Sequence, residues 1–377
     1  MIPAGQAQFA PALIRWHRAH GRHDLPWQKT RDPYRVWLSE VMLQQTRVAT
    51  VMDYYPRFLR RFPDLTCLAA ASLQEVLRVW AGLGYYARAR QAHACARLLV
   101  REHEGRFPST AQALEQLPGI GASTAAAIAA FCFGERAAIL DANVQRVLAR
   151  QYAVSGDPKR AQVRNMLWQH ARGLLPPADQ IAPYTQAIMD LGAQICTRTH
   201  PRCTQCPVNS QCLAHQQGLV AQLPTRSPRP SRPIRRAHLL VALAGQAVFL
   251  EQRAASGVWG GLLSLPQFSR RKALLQAAGA LCASQPQALT TRTHGFTHFT
   301  LAFTPYLLCL PRPCQRVGVI PGRWIKLQQV DTAAVPAPVR TLLRDLRQER
   351  GAQRQRIGPS RTPSKPVHRA RGRSRSG

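Results

Sequence analysis

A chain of 377 residues exceeds what one ordinary hydrophobic core holds and predicts two domains. Apolar residues make up 45% and charged residues 18%, so most of the sequence can fold, but 51 Lys and Arg against 18 Asp and Glu leave a formal charge of +33. That field draws in polyanions, which argues against a small-acid enzyme or an acidic scaffold and makes nucleic acid the expected partner.

Residues 1–12 carry no basic segment ahead of an apolar stretch, and the longest apolar run, residues 124–133, is about half a membrane span. The expectation is a cytoplasmic monomer, nucleoid-associated if bacterial, without membrane contact. Residues 36–55 place Trp37, Val41, Val48, Val51, Met52 and Tyr55 near the 3.6-residue helical period. Glu40 falls near the apolar side of that pattern. A carboxylate there loses solvent, its pKa rises, and it can donate a proton near neutral pH; the alternative is a buried glutamate satisfied by bonds from other helices. Turn signals follow at 62–64, 82–84 and 105–108.

In LPGIG, residues 117–121, Gly119 and Gly121 let a turn expose backbone N–H groups at a helix start, a seat for phosphate. Helical sequence before it and the Ala-rich stretch 123–133 after it predict a helix-hairpin-helix over 111–133, a module that grips DNA backbone without reading sequence. Asp141 precedes Val144, Val147 and Leu148 at helical spacing and reads as an N-cap; the same carboxylate could stabilise positive charge on a sugar. Of ten cysteines, Cys67, Cys95, Cys132, Cys282, Cys309 and Cys314 are scattered and read as small buried hydrophobes. The other four, Cys196, Cys203, Cys206 and Cys212, are spaced 6-2-5 and form a ligand set for Zn²⁺ or an iron–sulfur cluster. Arg198 and Arg202 beside them could present cations to phosphate.

Residues 219–236 hold four prolines and five arginines and read as a linker. Strand patterns appear only beyond it: 237–250, split at Gly245, then 299–310 and 317–325, with a helix at 271–280. The end of the chain is basic, with eight Lys or Arg and no acid from 351 to 377, and is expected to be a disordered arm.

SEVMLQQTRV (39–48), LPGIG, LDANVQRVLAR (140–150) and the cysteine spacing together resemble the MutY-type adenine-DNA glycosylases of the helix-hairpin-helix base-excision superfamily, over residues 8–217 and in order. The resemblance implies a multidomain chain: an all-α glycosylase domain at 1–218 with a [4Fe–4S] loop at 196–212, the linker, an α/β Nudix-like domain at 237–346 and a basic tail at 347–377. It implies removal of adenine mispaired with 8-oxoguanine or guanine, after the base is flipped from double-stranded DNA. Glu40 matches the acid that protonates adenine and later activates water, and Asp141 the carboxylate facing the oxocarbenium-like sugar. The four cysteines match the ligands of one [4Fe–4S] cluster per chain. Gln45 and Thr46 match residues inserted beside 8-oxoguanine, Leu83 and Tyr85 others on that side, and Trp27 and Gln186 the adenine pocket. Ala142 stands where the family often has glycine. Ser123, counted with Gly119 and Gly121 among the DNA contacts, stands where endonuclease III-type lyases carry a Schiff-base lysine, which predicts a monofunctional enzyme. A lyase on the same scaffold, or a DNA-binding protein that has lost catalysis, is the competing reading.

The later region resembles the family's Nudix-like module. His294-Gly295-Phe296-Thr297-His298-Phe299 matches a loop contacting 8-oxoguanine, with Thr297 where many relatives have serine, Phe296 as a wedge and His298 as a hydrogen-bonding partner. Residues 237–330 contain one acid, Glu251, too few for the Mg²⁺ of a diphosphate hydrolase.

Overall fold

The structure is a computed structural model that describes residues 4–225, 231–254 and 257–356. The middle of the expected linker and most of the expected basic arm, residues 226–230 and 357–377, lie outside the described residues. The region before the linker is helical: α1 (Ala4–His20), α2 (Pro33–Leu43), α3 (Val48–Arg61), α4 (Leu65–Ala70), α5 (Leu73–Trp80), α6 (Tyr86–Glu102), α7 (Ala111–Glu115), α8 (Ala122–Ile128), α9 (Ala142–Gln151), α10 (Ala161–Gly173), α11 (Ile181–Asp190) and α12 (Leu213–Gln216). Local chemistry sets several of the starts. Asp32, Asp64, Ser72, Thr110 and Asp141 each accept a backbone N–H from the first turn that follows, and Pro33 occupies the first position of α2.

The apolar stripe of residues 36–55 does not form one helix. It breaks between α2 and α3 at residues 44–47, where Gln45 is left-handed (φ 56°). The hairpin at 117–121 forms as expected. Gly119 has φ +78°, and a Cβ there would stand 2.6 Å from that of Gln91, so both backbone and packing demand glycine. Of the six scattered cysteines, Cys95 alone is buried and Cys67 and Cys309 are exposed.

Helices α2–α6 build one core around Trp37, Phe58, Phe62 and Trp80, while α1, α9, α10 and α11 build a second around Leu13, Leu148 and Ile188. The later region is a twisted sheet of β1 (Ile234–Ala244), β2 (Ala247–Gln252), β3 (Leu263–Ser264), β4 (Gln267–Phe268), β5 (Gln287–Ala288), β6 (Arg292–Gly295), β7 (Thr300–Leu310), β8 (Arg316–Val317) and β9 (Ile320–Lys326), with α13 (Arg271–Gly279) and α14 (Ala337–Arg356). The main path runs β5-β7-β1-β2-β9-β8, and β1 pairs with β7 in parallel from Ile234↔Thr300 to Ala244↔Leu310. β1 is buried on both faces. Ala237, Leu239, Val241 and Leu243 point into the core that holds Trp37 and Trp80, whereas Leu240, Ala242 and Ala244 meet α13.

Two boundaries differ from the sequence reading. The linker ends early, because Ile234 already pairs in β1. The basic tail starts late, because α14 runs on to Arg356 rather than stopping before 347. Leu342, Leu343 and Leu346 anchor that helix, and Asp331 pairs with Arg344 and Arg347, which offsets its positive charge. The first core also crosses the expected domain boundary. Gln74 and Arg90 donate to the Gly261 and Gly260 carbonyls at 2.9 and 2.8 Å, so α5 and α6 seat the loop at 257–262. Among the described residues no helix is long and apolar enough to cross a membrane.

Candidate active site

A cavity of about 810 Å³ opens between the two helical cores, within the range of about 300–1,000 Å³ typical of ligand pockets. Glu40 enters it from α2 and Asp141 from the start of α9. The cavity also gathers Trp27, Gln45, Thr46, Ser123 and Gln186. Glu40 keeps some contact with solvent through the opening, but protein surrounds it; burial, then the negative charge of Asp141, pushes its carboxyl up to about 7. No donor among the described residues reaches it, so the alternative of a glutamate satisfied by neighbouring helices does not hold. Burial also raises Asp141, opposed by the Val144 and Asn143 backbone N–H groups, which donate to Oδ1 at 2.7 and 3.0 Å, and by Arg146. Oδ2 has only a long contact of 3.5 Å to the Asn143 amide. One oxygen caps the helix and the other is left for the cavity, so capping and chemistry are compatible. Two carboxyls, both raised by burial and facing one cavity, are the kind of pair that glycoside cleavage uses for acid and charge-stabilising roles.

Ser123 Oγ accepts the Leu140 backbone N–H at 3.0 Å and so holds the chain just before Asp141. Gln28, which sequence reasoning missed, lines the cavity with both amide atoms buried and unpartnered. An amide that offers an unused donor and acceptor side by side complements an adenine edge.

Of the expected DNA contacts, Gln45 and Thr46 stand at this cavity, whereas Leu83, Tyr85, Gly119, Gly121 and residues 296–298 do not line it. Gln45 is exposed at the break after α2, and Tyr85, also left-handed (φ 47°), is half exposed before α6. Leu83 is buried, so of the two expected contacts on this turn only Tyr85 is exposed. Both turns are held by Arg88. Its guanidinium donates to the carbonyls of Val41 (2.9 Å), Met42 (2.7 Å), Gln44 (2.6 Å) and Gly84 (3.3 Å) and to Thr46 Oγ1 (3.0 Å). Burial pushes it down to about 10. A cation on the apolar stripe of Ala92, Cys95 and Leu99 was the signal for this brace, and it went unread.

Cys196, Cys203, Cys206 and Cys212 line one small cavity of about 30 Å³. Burial, followed by the charges of the other three, pushes Cys206 up to about 12, and burial likewise raises Cys203 and Cys212. Arg150 donates to Cys196 Sγ at 3.4 Å and to the Thr197 carbonyl at 2.8 Å, and Arg146 to the Cys196 and Gly192 carbonyls. The cysteine loop is thus bound to α9, the helix that Asp141 caps. Among the described residues no three His, Cys, Asp or Glu side chains converge as ligands of a single metal ion.

The segment 296–299 forms a hairpin tip closed by Phe296 N–H to the Phe299 carbonyl at 2.8 Å. Thr297 and His298 are exposed there. Phe296 is not a free wedge: it stacks on Phe299 with centroids 4.6 Å apart and packs against His294 and Trp259, because an isolated phenyl at the tip gains more by joining the core.

Residues 38–172 match the family model of the HhH-GPD superfamily of base excision DNA repair proteins, and residues 237–345 match a NUDIX domain. The chain is 35% identical to the adenine DNA glycosylase of Mus musculus, covering 95% of this chain and 82% of that one. It is 32% identical to the adenine DNA glycosylase of Buchnera aphidicola subsp. Baizongia pistaciae, covering 89% and 95%. Among solved structures, a thermostable thymine-DNA glycosylase overlays with a TM-score of 0.52 at 27% identity, covering 56% of this chain and 97% of the other. Likeness of that extent, carried through helices and sheet alike, means that the chain belongs to the adenine DNA glycosylases, helix-hairpin-helix enzymes of base-excision repair that remove adenine.

Proposed function

We propose that the enzyme binds double-stranded DNA and hydrolyses the N-glycosidic bond of adenine mispaired with 8-oxoguanine or guanine, without cutting the strand. The observation that carries this reading is Glu40, half-protonated near neutral pH and sharing a cavity with Asp141. Glu40 supplies a proton to the departing base, which leaves as a neutral purine, and Asp141 faces the positive charge left on the sugar, which water then captures. Trp27, Gln28 and Gln186 hold the extruded base. Gln45, Thr46 and Tyr85 contact the opposite strand, with Leu83 behind them. Gly119 and Gly121 seat phosphate, and Thr297 and His298 touch the oxidised base. The charge of +33 supplies affinity that is independent of sequence. Strand cleavage needs an amine to attack the sugar. Ser123 stands in the cavity, and no lysine lines it among the described residues.

The cysteine set fits one [4Fe–4S] cluster: four soft, half-buried sulfurs line one cavity and are flanked by Arg150. Cys196, Cys203, Cys206 and Cys212 would hold it, and it would staple their loop to α9.

Duplexes with adenine opposite 8-oxoguanine, guanine or thymine, run with and without alkali, test the reading. Alkali-dependent breaks at the first two and none at the third are expected. Breaks without alkali, or efficient borohydride trapping of enzyme on DNA, would refute the monofunctional mechanism.

A further inference from the structure

Asp190 is fully buried behind the wall of the catalytic cavity, and the chemistry above gives it no task. It ends α11, one turn beyond Gln186, whose Nε2 donates to its Oδ1 at 3.1 Å. The same carboxylate accepts the Arg22 backbone N–H at 2.9 Å and Nε–H at 3.0 Å, and a second guanidinium N–H reaches Oδ1. His17 Nε2 stands 3.3 Å from Oδ2. Burial alone would raise this carboxyl, but His17 and Arg22 outweigh it and hold it down to about 2.

An ionised carboxylate only accepts hydrogen bonds. The Gln186 amide must therefore turn its nitrogen toward Asp190, and its oxygen is left for the cavity that Gln186 lines. The two ends of a glutamine amide are ordinarily exchanged by a half-rotation. Here one orientation is fixed from behind.

We infer that Asp190, backed by Arg22 and His17, is a positioning residue that locks the Gln186 amide and so makes the pocket select a 6-amino over a 6-oxo purine. This rests on the proposal that Gln186 lines the pocket of the extruded base. Adenine carries a donor at position 6; hypoxanthine and guanine carry an acceptor there. A free amide would rotate to suit either. A locked one offers oxygen to both, which bonds the amine and repels the carbonyl.

The test is single-turnover excision by the full chain of adenine, unsubstituted purine and hypoxanthine, each opposite the same base. Wild type, Gln186→Leu and Asp190→Leu are compared, with thermal melting to report folding. Ratios compared between proteins cancel the intrinsic lability of each glycosidic bond. The purine-to-hypoxanthine ratio should be about tenfold higher in wild type than in Gln186→Leu, since only a fixed oxygen penalises the carbonyl. Asp190→Leu keeps the size of the side chain but offers Gln186 no acceptor, so the amide is free to turn either end toward the purine. Preference should then move toward hypoxanthine by about tenfold. A folded Asp190→Leu with wild-type ratios overturns the inference and leaves the pocket reading intact. If that variant does not fold, the first comparison decides: slower adenine excision in Gln186→Leu with an unchanged purine-to-hypoxanthine ratio overturns it equally. Adenine excision untouched by Gln186→Leu removes Gln186 from the pocket, and the inference with it.

Discussion

Glu40 holds a proton up to about neutral pH at the expense of the fold. Its pKa lies above the ordinary 4.5, so the native state binds the proton more tightly than the unfolded chain does. The stability it contributes is complete below 4.5 and is lost as pH rises through about 7. Glu40→Gln should therefore slow adenine excision by about 10²–10⁴. The same variant should be more stable than wild type by up to about 3 kcal/mol around pH 8, with the gap closing toward pH 4. Denaturant titrations at the two pH values measure this, and equal stabilities throughout would mean that Glu40 is not desolvated. For wild type, single-turnover excision should fall once pH exceeds about 7, as the acid form is depleted. Both carboxylates were legible in the sequence, Glu40 because it interrupts an apolar helical pattern and Asp141 because it caps one. Gln28, Arg88 and Asp190 were not, since their roles depend on segments far away in the chain: Asp190 meets Arg22 across 168 positions.

Elements meet the proposed DNA-facing surface through turns, and the turns depend on a brace. Arg88 joins the turn after α2 to the turn before α6, each carrying a non-glycine residue in the left-handed region, where an ordinary side chain costs about 1–2 kcal/mol. Lysine cannot reach four carbonyls and a hydroxyl at once. Arg88→Lys should lose about 2–3 kcal/mol of stability and weaken binding to mispaired duplex. A melting temperature within a degree of wild type would show that the turns hold themselves. In the cysteine loop, Cys203→Ser should loosen Arg146 and Arg150 from their carbonyls and slow excision through Asp141 while the helical core stays folded. Far-ultraviolet dichroism alongside excision rates separates the two effects. The hairpin at 117–121 was readable because only glycine suits its backbone. The break at 44–47 was not, because apolar spacing carries across it unchanged.

At the scale of the molecule, composition marked a linker but not what the regions on either side share. Alternation in β1 showed a strand, whereas its burial on both faces, one of them against the core of the helices, depends on partners that no local pattern contains. A chain ending at Thr225 should therefore melt well below the full protein. The reading of the opposite base is better tested in the intact chain: Thr297→Ala with His298→Ala should reduce the preference for 8-oxoguanine over guanine by about tenfold while leaving adenine release opposite guanine intact. Unchanged preference would place the sensor wholly in Gln45, Thr46 and Tyr85. The shared core also has a consequence for synthesis. Leu77 and the shafts of Gln74 and Arg90 leave the ribosome long before Gly261, the glycine that Leu77 packs against. At about 5–20 residues per second, the roughly 170 residues between them take on the order of ten to thirty seconds. For that interval the nascent helices carry an apolar flank that only their own later sheet covers.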